Sequence, residues 1–436
     1  MKKVIVIGGG ASGMMAAIAA ARAGAQTTLL EAGPKPGRKL LLTGNGRCNL
    51  TNLDKEIASV YSSSDPSLAK NLVKSVFSQF SVRDTIRFFR EEGLLTSIEH
   101  GSYVYPVTGQ STSVLEVLLR TLGALKVKLK YSQEVIEIEK NDSPDSSQEG
   151  AWNVRTKTWT YHADRVILSC GSRAVPSTGS NGSGYELSRM LGLDVTDILP
   201  GLTAVSCSFF GPDTKAYVPG SGSRVRSDPG NLSSPDPMTA ASGTRTLAVV
   251  SVFADGEMIA AQRGQIQFTR KDLSGVVLFN LSRCVVRALH RGCEVILSLD
   301  LIPDSSPEEL QQVIRNLRRK YEGITDEMIL AGLLPSRLIP AVLMLYRQSG
   351  ESLEHALKNF RLKASRLREF DSAQVCVGGV RVSELNPETL ECLADECRGI
   401  YLTGELVDVD GPCGGYNLQW AWSSGYTAGL HAAADE

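Results

Sequence analysis

The sequence predicts an α/β protein in which one parallel sheet is assembled from both ends of the chain, with a different domain inserted between them. The chain opens with a strand, a glycine-rich turn, a helix and a second strand within its first 30 residues, which is a βαβ unit. A buried strand that ends in glycine recurs at 165–171 and at 400–404. Between about 196 and 360 the pattern changes to alternating strands and then to short helices.

Length and composition limit the classes of protein that this chain can represent. Its 436 residues correspond to about three domains. Because 46 Lys and Arg residues balance 47 Asp and Glu residues, the net charge is −1 and gives no basic footprint for nucleic acid. The nine cysteines contain no CxxC pair, so we expect reduced thiols, a cytoplasmic protein and no metal site.

The N-terminus imitates a targeting signal. An uncharged run of 18 residues extends from Val4 to Ala21, but four glycines interrupt it and its first half is β-branched. We therefore expect neither a signal peptide nor a membrane partner.

The elements of the first part follow in order. After the βαβ unit, helices are predicted at 68–80, at 81–92 with Ser81 as N-cap, and at 113–122. Strands are predicted at 126–131, 134–139, 152–156 and 165–169, with a polar hairpin tip at 141–150.

The inserted part begins near residue 196. Strands are predicted at 204–210, 246–253 and 295–299, around a Gly/Pro/Ser-rich mobile loop at 211–244. Ser306 and Pro307 then begin a helix that ends near Tyr321. The expected domains are the first part of a cofactor domain (1–195), an inserted β domain (196–304), an inserted helical segment (305–360) and the second part of the cofactor domain (361–436).

The first turn carries the clearest chemical motif. Gly8, Gly10 and Gly13 fit GxGxxG between a strand and a helix, with Ala11 and Ser12 inside the pattern. These glycines allow a tight turn, a close approach of the backbone to a pyrophosphate, and close helix–strand packing. Glu31, at the end of the second strand, is placed to accept hydrogen bonds from a ribose 2′-hydroxyl. A carboxylate there disfavours a 2′-phosphate, so the nucleotide is expected to be FAD or NAD rather than NADP.

The segment that follows favours FAD over NAD. An NAD dehydrogenase usually continues with further βα units, whereas this chain continues with a glycine-rich loop at 37–49. Such a loop can follow an extended dinucleotide toward a flavin ring, with Arg38 and Lys39 available to the pyrophosphate. The alternative is a basic surface loop.

Two later segments repeat the strand-to-glycine pattern. One strand ends at Cys170 and Gly171, and another ends at Gly404 and is followed by Glu405, whose carboxylate can meet ribityl hydroxyls. A Gly-Gly turn at 414–415 then leads into a helix whose N-terminus can stabilise negative charge on a flavin. The first and last segments are therefore expected to build one site.

Three segments resemble a known family. Residues 37–52 (GRKLLLTGNGRCNLTN), residues 264–269 (GQIQFT) with 273–275 (LSG), and residues 404–422 (GELVDVDGPCGGYNLQWAW) carry the resemblance. The family is a bacterial flavoprotein family that contains aminoacetone oxidase-like and BaiN-like (bile-acid enone reductase) proteins. The resemblance covers nearly the whole chain. It implies a glutathione-reductase-type, Rossmann-like FAD domain interrupted by a β-barrel and a small helical domain.

The motif analysis and the resemblance together predict the FAD contacts. They are expected from Gly8, Gly10, Ala11, Ser12, Gly13, Glu31, Ala32, Arg38, Lys39, Thr43, Gly44, Asn45, Gly46, Val135, Cys170, Gly171, Gly404, Glu405, Gly415, Tyr416, Asn417 and Leu418. The chain departs from the family pattern at Asp272 and Val276, which flank Leu-Ser-Gly, and at Tyr103, where relatives tend to have an arginine. The last departure leaves the choice of substrate open.

The catalytic group is less clearly indicated. Arg47 is a candidate for orienting an anionic substrate or the flavin carbonyls, with a structural salt bridge as the alternative. Cys48 is a candidate redox thiol, with packing against FAD as the alternative. Tyr105 and Tyr416 are further candidate proton donors, and none of the five histidines shows the spacing of a triad or metal site.

Several functions agree with this sequence. The main hypothesis is an FAD-dependent oxidoreductase that transfers hydride through flavin N5 to or from a small organic substrate. It is either a BaiN-like reductase fed transiently by NADH or NADPH, or an oxygen-using oxidase of an amino ketone or amine. The alternatives are a tRNA-modifying flavoprotein and a protein that holds FAD without redox chemistry. Substrate, donor and oligomeric state remain open.

Overall fold

The protein is described from a computed structural model, which covers residues 1–141, 150–209 and 237–434. Most of the hairpin tip predicted at 141–150 and of the loop predicted at 211–244 therefore lies outside the described residues. The last part of that loop sequence contains a short helix, Pro237–Ala241.

Strands and helices alternate irregularly along the chain. The strands are β1 (Lys3–Ile7), β2 (Gln26–Leu30), β3 (Thr51–Asn52), β4 (Thr96–Glu99), β5 (Tyr103–Pro106), β6 (Lys128–Lys130), β7 (Val135–Lys140), β8 (Trp152–Thr156), β9 (Thr160–Ala163), β10 (Arg165–Leu168), β11 (Leu199–Gly201), β12 (Val205–Phe209), β13 (Arg245–Ala254), β14 (Glu257–Phe268), β15 (Asp272–Ser274), β16 (Val295–Asp300), β17 (Phe360–Leu367), β18 (Val375–Val377) and β19 (Ile400–Leu402). The α-helices are α1 (Ala11–Arg22), α2 (Pro66–Gln79), α3 (Val82–Glu91), α4 (Ser111–Ala124), α5 (Ser183–Met190), α6 (Pro237–Ala241), α7 (Val276–His290), α8 (Pro307–Lys320), α9 (Asp326–Leu330), α10 (Ile339–Ser349), α11 (Leu353–Lys358) and α12 (Tyr416–Ala433).

The chain forms two compact units, one from residues 1–199 with 370–436 and one from residues 200–369. The first unit contains a five-stranded sheet in the order β19-β10-β1-β2-β6. All neighbouring strands in it are parallel, which confirms the predicted α/β fold. Val4, Val6 and Ile167 are almost fully buried, as expected for central strands covered on both faces.

Helices α1 and α12 pack closely in this unit because glycines face the partner backbone. A Cβ added at Gly425 would lie 2.3 Å from the carbonyl oxygen of Ser12, and one at Gly429 would lie 2.3 Å from that of Ala16. The two helices therefore approach through bare backbone at these positions, and the C-terminal helix is fixed against the first helix of the chain.

Two smaller three-stranded sheets and well-formed helix caps also belong to the first unit. The antiparallel sheets have the orders β3-β5-β4 and β7-β8-β9. Ser81 caps α3 as predicted, since its hydroxyl accepts from the backbone of Asp84 while the Asp84 carboxylate accepts from the backbone of Ser81. Asp65 caps α2 in front of Pro66.

The second unit contains the predicted β-barrel, which closes in the order β12-β15-β14-β13-β16-β17. Phe268 and Phe360 are fully buried in this unit and meet edge to face. Helices α8 to α11 lie between β16 and β17 in the chain, so the barrel closes only after the helical segment. The last barrel strand thus extends to Leu367, beyond the boundary we expected at residue 360, because strand pairing does not follow the composition of the sequence. Ser306 caps α8 with Pro307 at its first position, as predicted.

One departure from the family pattern has a structural explanation. Asp272 is buried at the start of β15, where its carboxylate accepts hydrogen bonds from Ser206 (2.7 Å) and Arg368 (2.6 Å). Ser206 belongs to β12 and Arg368 directly follows β17, so Asp272 connects the two strands whose pairing closes the barrel. The partners hold the pKa of Asp272 low although burial alone would raise it.

None of the helices in the described part of the chain combines the length and apolarity needed to cross a bilayer. All nine cysteines lie within the described residues, and none of them forms a disulfide bond.

The helix contact makes a testable prediction about stability. Gly429→Ala places a methyl group 2.3 Å from a backbone oxygen, so we expect the free energy of unfolding to fall by about 2 kcal/mol or more. The matched control is Gly123→Ala in α4, where no atom lies within 4 Å of the added Cβ. That variant is expected to gain up to about 1 kcal/mol from helix propensity. Urea unfolding of both variants measures the difference, and equal stabilities would contradict the assignment of this contact.

Candidate cofactor and active site

The predicted site residues gather at one edge of the parallel sheet. Strands β1, β2, β10 and β19 run in the same direction, so the segments that follow Ile7, Leu30, Leu168 and Leu402 emerge side by side. Ligands bind outside the carboxyl ends of the strands in open α/β sheets. The structure thus brings together the three strand-to-glycine segments predicted from distant parts of the sequence.

The first turn has the shape that a phosphate group requires. A Cβ at Gly8 would lie 2.4 Å from the oxygen of Ser169, and one at Gly13 would lie 1.9 Å from the oxygen of Gly8. In contrast, no atom lies within 4 Å of a Cβ at Gly10. Because no side chain caps the N-terminus of α1, the amides around Ala11 and buried Ser12 face this open position.

Glu31 is held in place by two backbone amides, one in the first glycine-rich turn and one in the segment that follows β2. Its carboxylate accepts hydrogen bonds from the N–H groups of Gly9 (2.8 Å) and Gly33 (2.7 Å). Each carboxylate oxygen retains lone pairs for ribose hydroxyls. Ala32 beside it is exposed, and Val135 is buried at the start of β7.

Tyr131 is a residue of this region that the sequence prediction missed. It follows β6 directly, its side chain is 39% exposed, and desolvation together with the charge of Glu31 raises its pKa. The available signal was its position at the end of the strand predicted over 126–131, which does not distinguish it from an ordinary surface tyrosine.

The glycine-rich loop bends sharply outside the sheet. Gly44, Asn45 and Gly46 all have positive φ angles, of 56°, 56° and 82°. Gly44 and Asn45 are exposed, while Thr43 turns its hydroxyl back to the carbonyl of Leu40 at 2.7 Å. Three successive left-handed residues favour glycine and asparagine at these positions.

Lys39 and Glu405 connect the first and last predicted segments. They form an ion pair, and Ser172 donates a hydrogen bond to Glu405 at 2.7 Å. Ser172, which the sequence prediction did not include, also accepts from Lys39 at 3.3 Å. Arg38 points elsewhere, with its guanidinium donating to the carbonyl of Ser177 at 2.6 Å.

The segments that follow β10 and β19 differ in how much space surrounds their backbone. Cys170 packs against Gly184, where an added Cβ would lie 2.6 Å from its own, and burial raises the pKa of its thiol to about 12. Gly171 has φ +71° and no atom within 4 Å of an added Cβ. A Cβ added at Gly404 would lie 2.6 Å from the hydroxyl oxygen of Ser12. The segment that follows β19 therefore reaches the glycine-rich turn before α1.

The turn before α12 is braced by its own side chains. Asn417 accepts from the N–H of Gly411 and donates to its carbonyl, both at 2.8 Å. Tyr416 donates to Asp54 at 3.0 Å, and a Cβ at Gly415 would lie 2.6 Å from the oxygen of Thr51. The side chain of Asn417 is therefore engaged in the loop, which leaves its backbone to serve a ligand. No side chain caps α12, so the amides of residues 416 to 418, including half-buried Leu418, remain for an anion.

Cys48 is in an environment that disfavours thiolate chemistry. It is fully buried, with a left-handed backbone (φ 57°), and burial raises its pKa to about 12. Because the thiolate is the reactive form, this geometry favours the packing alternative over a redox thiol.

Arg47 lies beside the same loop but reaches outward. Its guanidinium forms a two-pronged ion pair with Glu99 and stacks 4.4 Å above the ring centre of Tyr105. The hydrogen bond to Glu99 raises the pKa of Arg47 and lowers that of Glu99. Glu99 was not predicted, since a lone glutamate before a histidine carries no motif.

This arrangement fits a flavin dinucleotide. The open position at Gly10, the carboxylate of Glu31 and the uncapped N-termini of α1 and α12 offer groups for phosphate, ribose and flavin. In addition, Oδ1 of Asn49 is buried beside Gly415 without a hydrogen-bond partner among the described residues. When bound, FAD supplies hydride transfer. Across the described ranges, no group of three or more His, Cys, Asp or Glu residues is arranged to hold a metal ion.

The fold and its family together define an FAD-dependent oxidoreductase. The chain belongs to the HI0933-like family, because the model of the HI0933-like protein Rossmann domain matches residues 2–431.

Two similar proteins of known activity span the whole chain. One is a 3-dehydro-bile acid Δ(4,6)-reductase from Clostridium scindens, with 38% identity over 99% of both chains. Another is a ribosomal RNA dihydrouridine synthase from Escherichia coli, with 27% identity over 97% of this chain and 96% of that protein. Among solved structures, a 3-ketosteroid-Δ4-(5α)-dehydrogenase from Rhodococcus jostii aligns with 100% of this chain and 97% of that chain, at 14% identity and a TM-score of 0.48.

Removing the Glu31 carboxylate is predicted to weaken FAD binding. Glu31→Ala loses two hydrogen bonds between the carboxylate and backbone amides and the acceptor offered to ribose, so the Kd of the apoprotein for FAD should rise roughly 10- to 100-fold. Fluorescence titration of the apoprotein measures this change. Glu91→Ala, which removes an exposed partner of Arg87 in α3, is the control and should leave the Kd unchanged. An unchanged Kd in Glu31→Ala would refute the role.

Thiol labelling tests the environment of Cys48. With a pKa of about 12, only about one thiol in 10,000 is ionised at pH 8, and burial also excludes the reagent. We expect iodoacetamide to leave Cys48 unlabelled in the native protein and to label it after unfolding, as measured by peptide mass spectrometry. Half-exposed Cys293 serves as the native-state comparison. Equal labelling of both would show that Cys48 is accessible.

Proposed function

We propose that the protein reduces a carbon–carbon double bond conjugated with a carbonyl group in a small organic substrate, with NADH or NADPH as the electron donor. The observation that carries this proposal is the 38% identity to a bile-acid Δ(4,6)-reductase over essentially the whole of both chains. Both relatives, the bile-acid Δ(4,6)-reductase and the dihydrouridine synthase, are named for the reduction of a carbon–carbon double bond. The reaction class is thus shared although the substrates differ.

Some residues of the chain would hold the cofactor, and Arg47 would orient the substrate. Glu31 and the amides at the start of α1 would hold the nucleotide end of the cofactor. The uncapped amides at the start of α12 would favour negative charge, which develops when a flavin is reduced. Arg47, immobilised by Glu99 and Tyr105, would orient the carbonyl group of the substrate.

A second candidate is reduction of uracil in RNA, which the relative from Escherichia coli favours. The net charge of −1 speaks against it, because binding to a phosphate backbone is driven by clustered Lys and Arg. The identity to this relative is also lower than that to the bile-acid reductase, 27% against 38%.

Anaerobic reduction tests the proposal. Purified holoprotein is mixed with NADH or NADPH while flavin absorbance at about 450 nm is followed. We expect bleaching with one donor and recovery of the absorbance when an α,β-unsaturated ketone is added.

Each alternative gives a different result in this assay. No bleaching with either donor would overturn the NAD(P)H-linked reductase. Recovery with oxygen but not with enones, after reduction by an amino ketone or amine, would indicate an oxidase. Recovery only with uridine-containing RNA, in a salt-dependent manner, would favour the second candidate. A flavin that no donor or substrate reduces would indicate a protein that only holds FAD.

A further inference from the structure

Strand β5 of the small sheet β3-β5-β4 has one face packed on the core and one face open. Val104 and Pro106 are buried, whereas their neighbours Tyr103, Tyr105 and Val107 point to the other side, since side chains alternate along a strand. The register pairs Tyr105 with Ser97 and Tyr103 with Glu99.

The open face continues beyond β4 and ends in exposed apolar side chains. The N–H of Val107 donates to the carbonyl of Leu95 at 2.9 Å, which extends the strand pairing by one residue. Leu95 and Val107 are 56% and 57% exposed. Singly exposed apolar residues are common, but these two lie opposite each other on the face that also carries Tyr103 and Tyr105.

Both loops of the candidate cofactor site are attached to this face. Tyr103 lies against the turn before α12, since a Cβ at Gly414 would be 3.1 Å from its ring, and Asn52 donates to the carbonyl of Gly414 at 2.8 Å. Tyr105 lies beside the glycine-rich loop, where a Cβ at Gly44 would be 3.5 Å from its ring. A molecule on this face therefore lies next to both loops.

The middle of the face carries the Arg47 guanidinium, whose charge is balanced by the Glu99 carboxylate. Arg47 stacks on Tyr105 and pairs with Glu99, which uses one hydrogen of each terminal nitrogen. Each of these nitrogens has a second hydrogen, which can be donated to a carbonyl oxygen. An ion-paired guanidinium attracts an anionic substrate less than a free one, so the face suits a neutral carbonyl.

We propose that this face, defined by Tyr103, Tyr105, Val107, Leu95 and Arg47, is the substrate platform. It would take a flat, neutral, largely apolar ketone whose carbonyl meets Arg47 and whose ring system lies over Leu95 and Val107. From Tyr103 to Val107 the strand rises about 13 Å, which is long enough for a fused-ring skeleton. The inference rests on the proposed function for the choice of a conjugated ketone.

Substitutions at the apolar end test the platform without touching the cofactor loops. Leu95→Glu and Val107→Glu place a carboxylate where the ring system would pack. Ile98→Glu is the matched control, because Ile98 is 60% exposed on β4 but points to the opposite side. Thermal unfolding and flavin content of all three variants should match the unsubstituted protein.

Binding is measured by calorimetry on the oxidised holoprotein without an electron donor. The probes are testosterone, a neutral four-ring conjugated ketone, and 2-cyclohexen-1-one, which has the same reactive group without the extended skeleton. We expect Leu95→Glu and Val107→Glu each to raise the Kd for testosterone about tenfold, with a change below about twofold in Ile98→Glu. The Kd for 2-cyclohexen-1-one should change far less than that for testosterone.

The outcomes separate this inference from the proposed function. No binding of testosterone to the unsubstituted protein, an unchanged Kd in Leu95→Glu and Val107→Glu, or an equal loss in Ile98→Glu would overturn the platform, even if enones are reduced. The expected pattern of Kd values without any reduction of enones would support the platform and overturn only the proposed reaction.

Discussion

The contact between α1 and α12 is the constraint on which the candidate site depends. These helices come from opposite ends of the sequence, and they meet through backbone at Gly425 and Gly429. Their N-termini both lack side-chain caps and both belong to the predicted cofactor site. Because the helices cannot shift along each other without a steric clash, the position of one set of amides fixes the position of the other.

The charged side chains of the candidate site are engaged by other groups of the protein. Four of these charged side chains form ion pairs in the structure, Lys39 with Glu405 and Arg47 with Glu99. Glu31 accepts from backbone amides. The unpaired polarity therefore comes largely from backbone groups, which cannot change charge with pH. A site of this kind holds a large dinucleotide by shape and hydrogen bonding more than by net charge.

Much of the fold was predictable because its signals are local. The βαβ unit, the cap at Ser81 and the start of α8 at Ser306 each depend on a few neighbouring residues. The strand patterns predicted a β domain and the family resemblance implied a barrel, but the closing strand was not predicted, because pairing of β12 with β17 joins residues about 160 positions apart. The parts of the site that carry glycine motifs were predictable for the same local reason. Glu99, Ser172 and Tyr131 were not, since only the folded chain brings them to the site. The roles proposed for Arg47 and for the FAD contacts remain predictions.

The order of the segments along the chain has a consequence for biosynthesis. The parallel sheet needs β19, and the contact with α1 needs α12, yet both are translated after the whole of residues 200–369. Domains generally fold as units while the ribosome elongates the chain at about 5–20 residues per second. The N-terminal βαβ unit must therefore wait tens of seconds for its last strand, during which the edge of β10 that later pairs with β19 lacks this partner. All six strands of the inserted barrel lie within residues 200–369. The barrel can therefore complete its own strand pairing before β19 is translated.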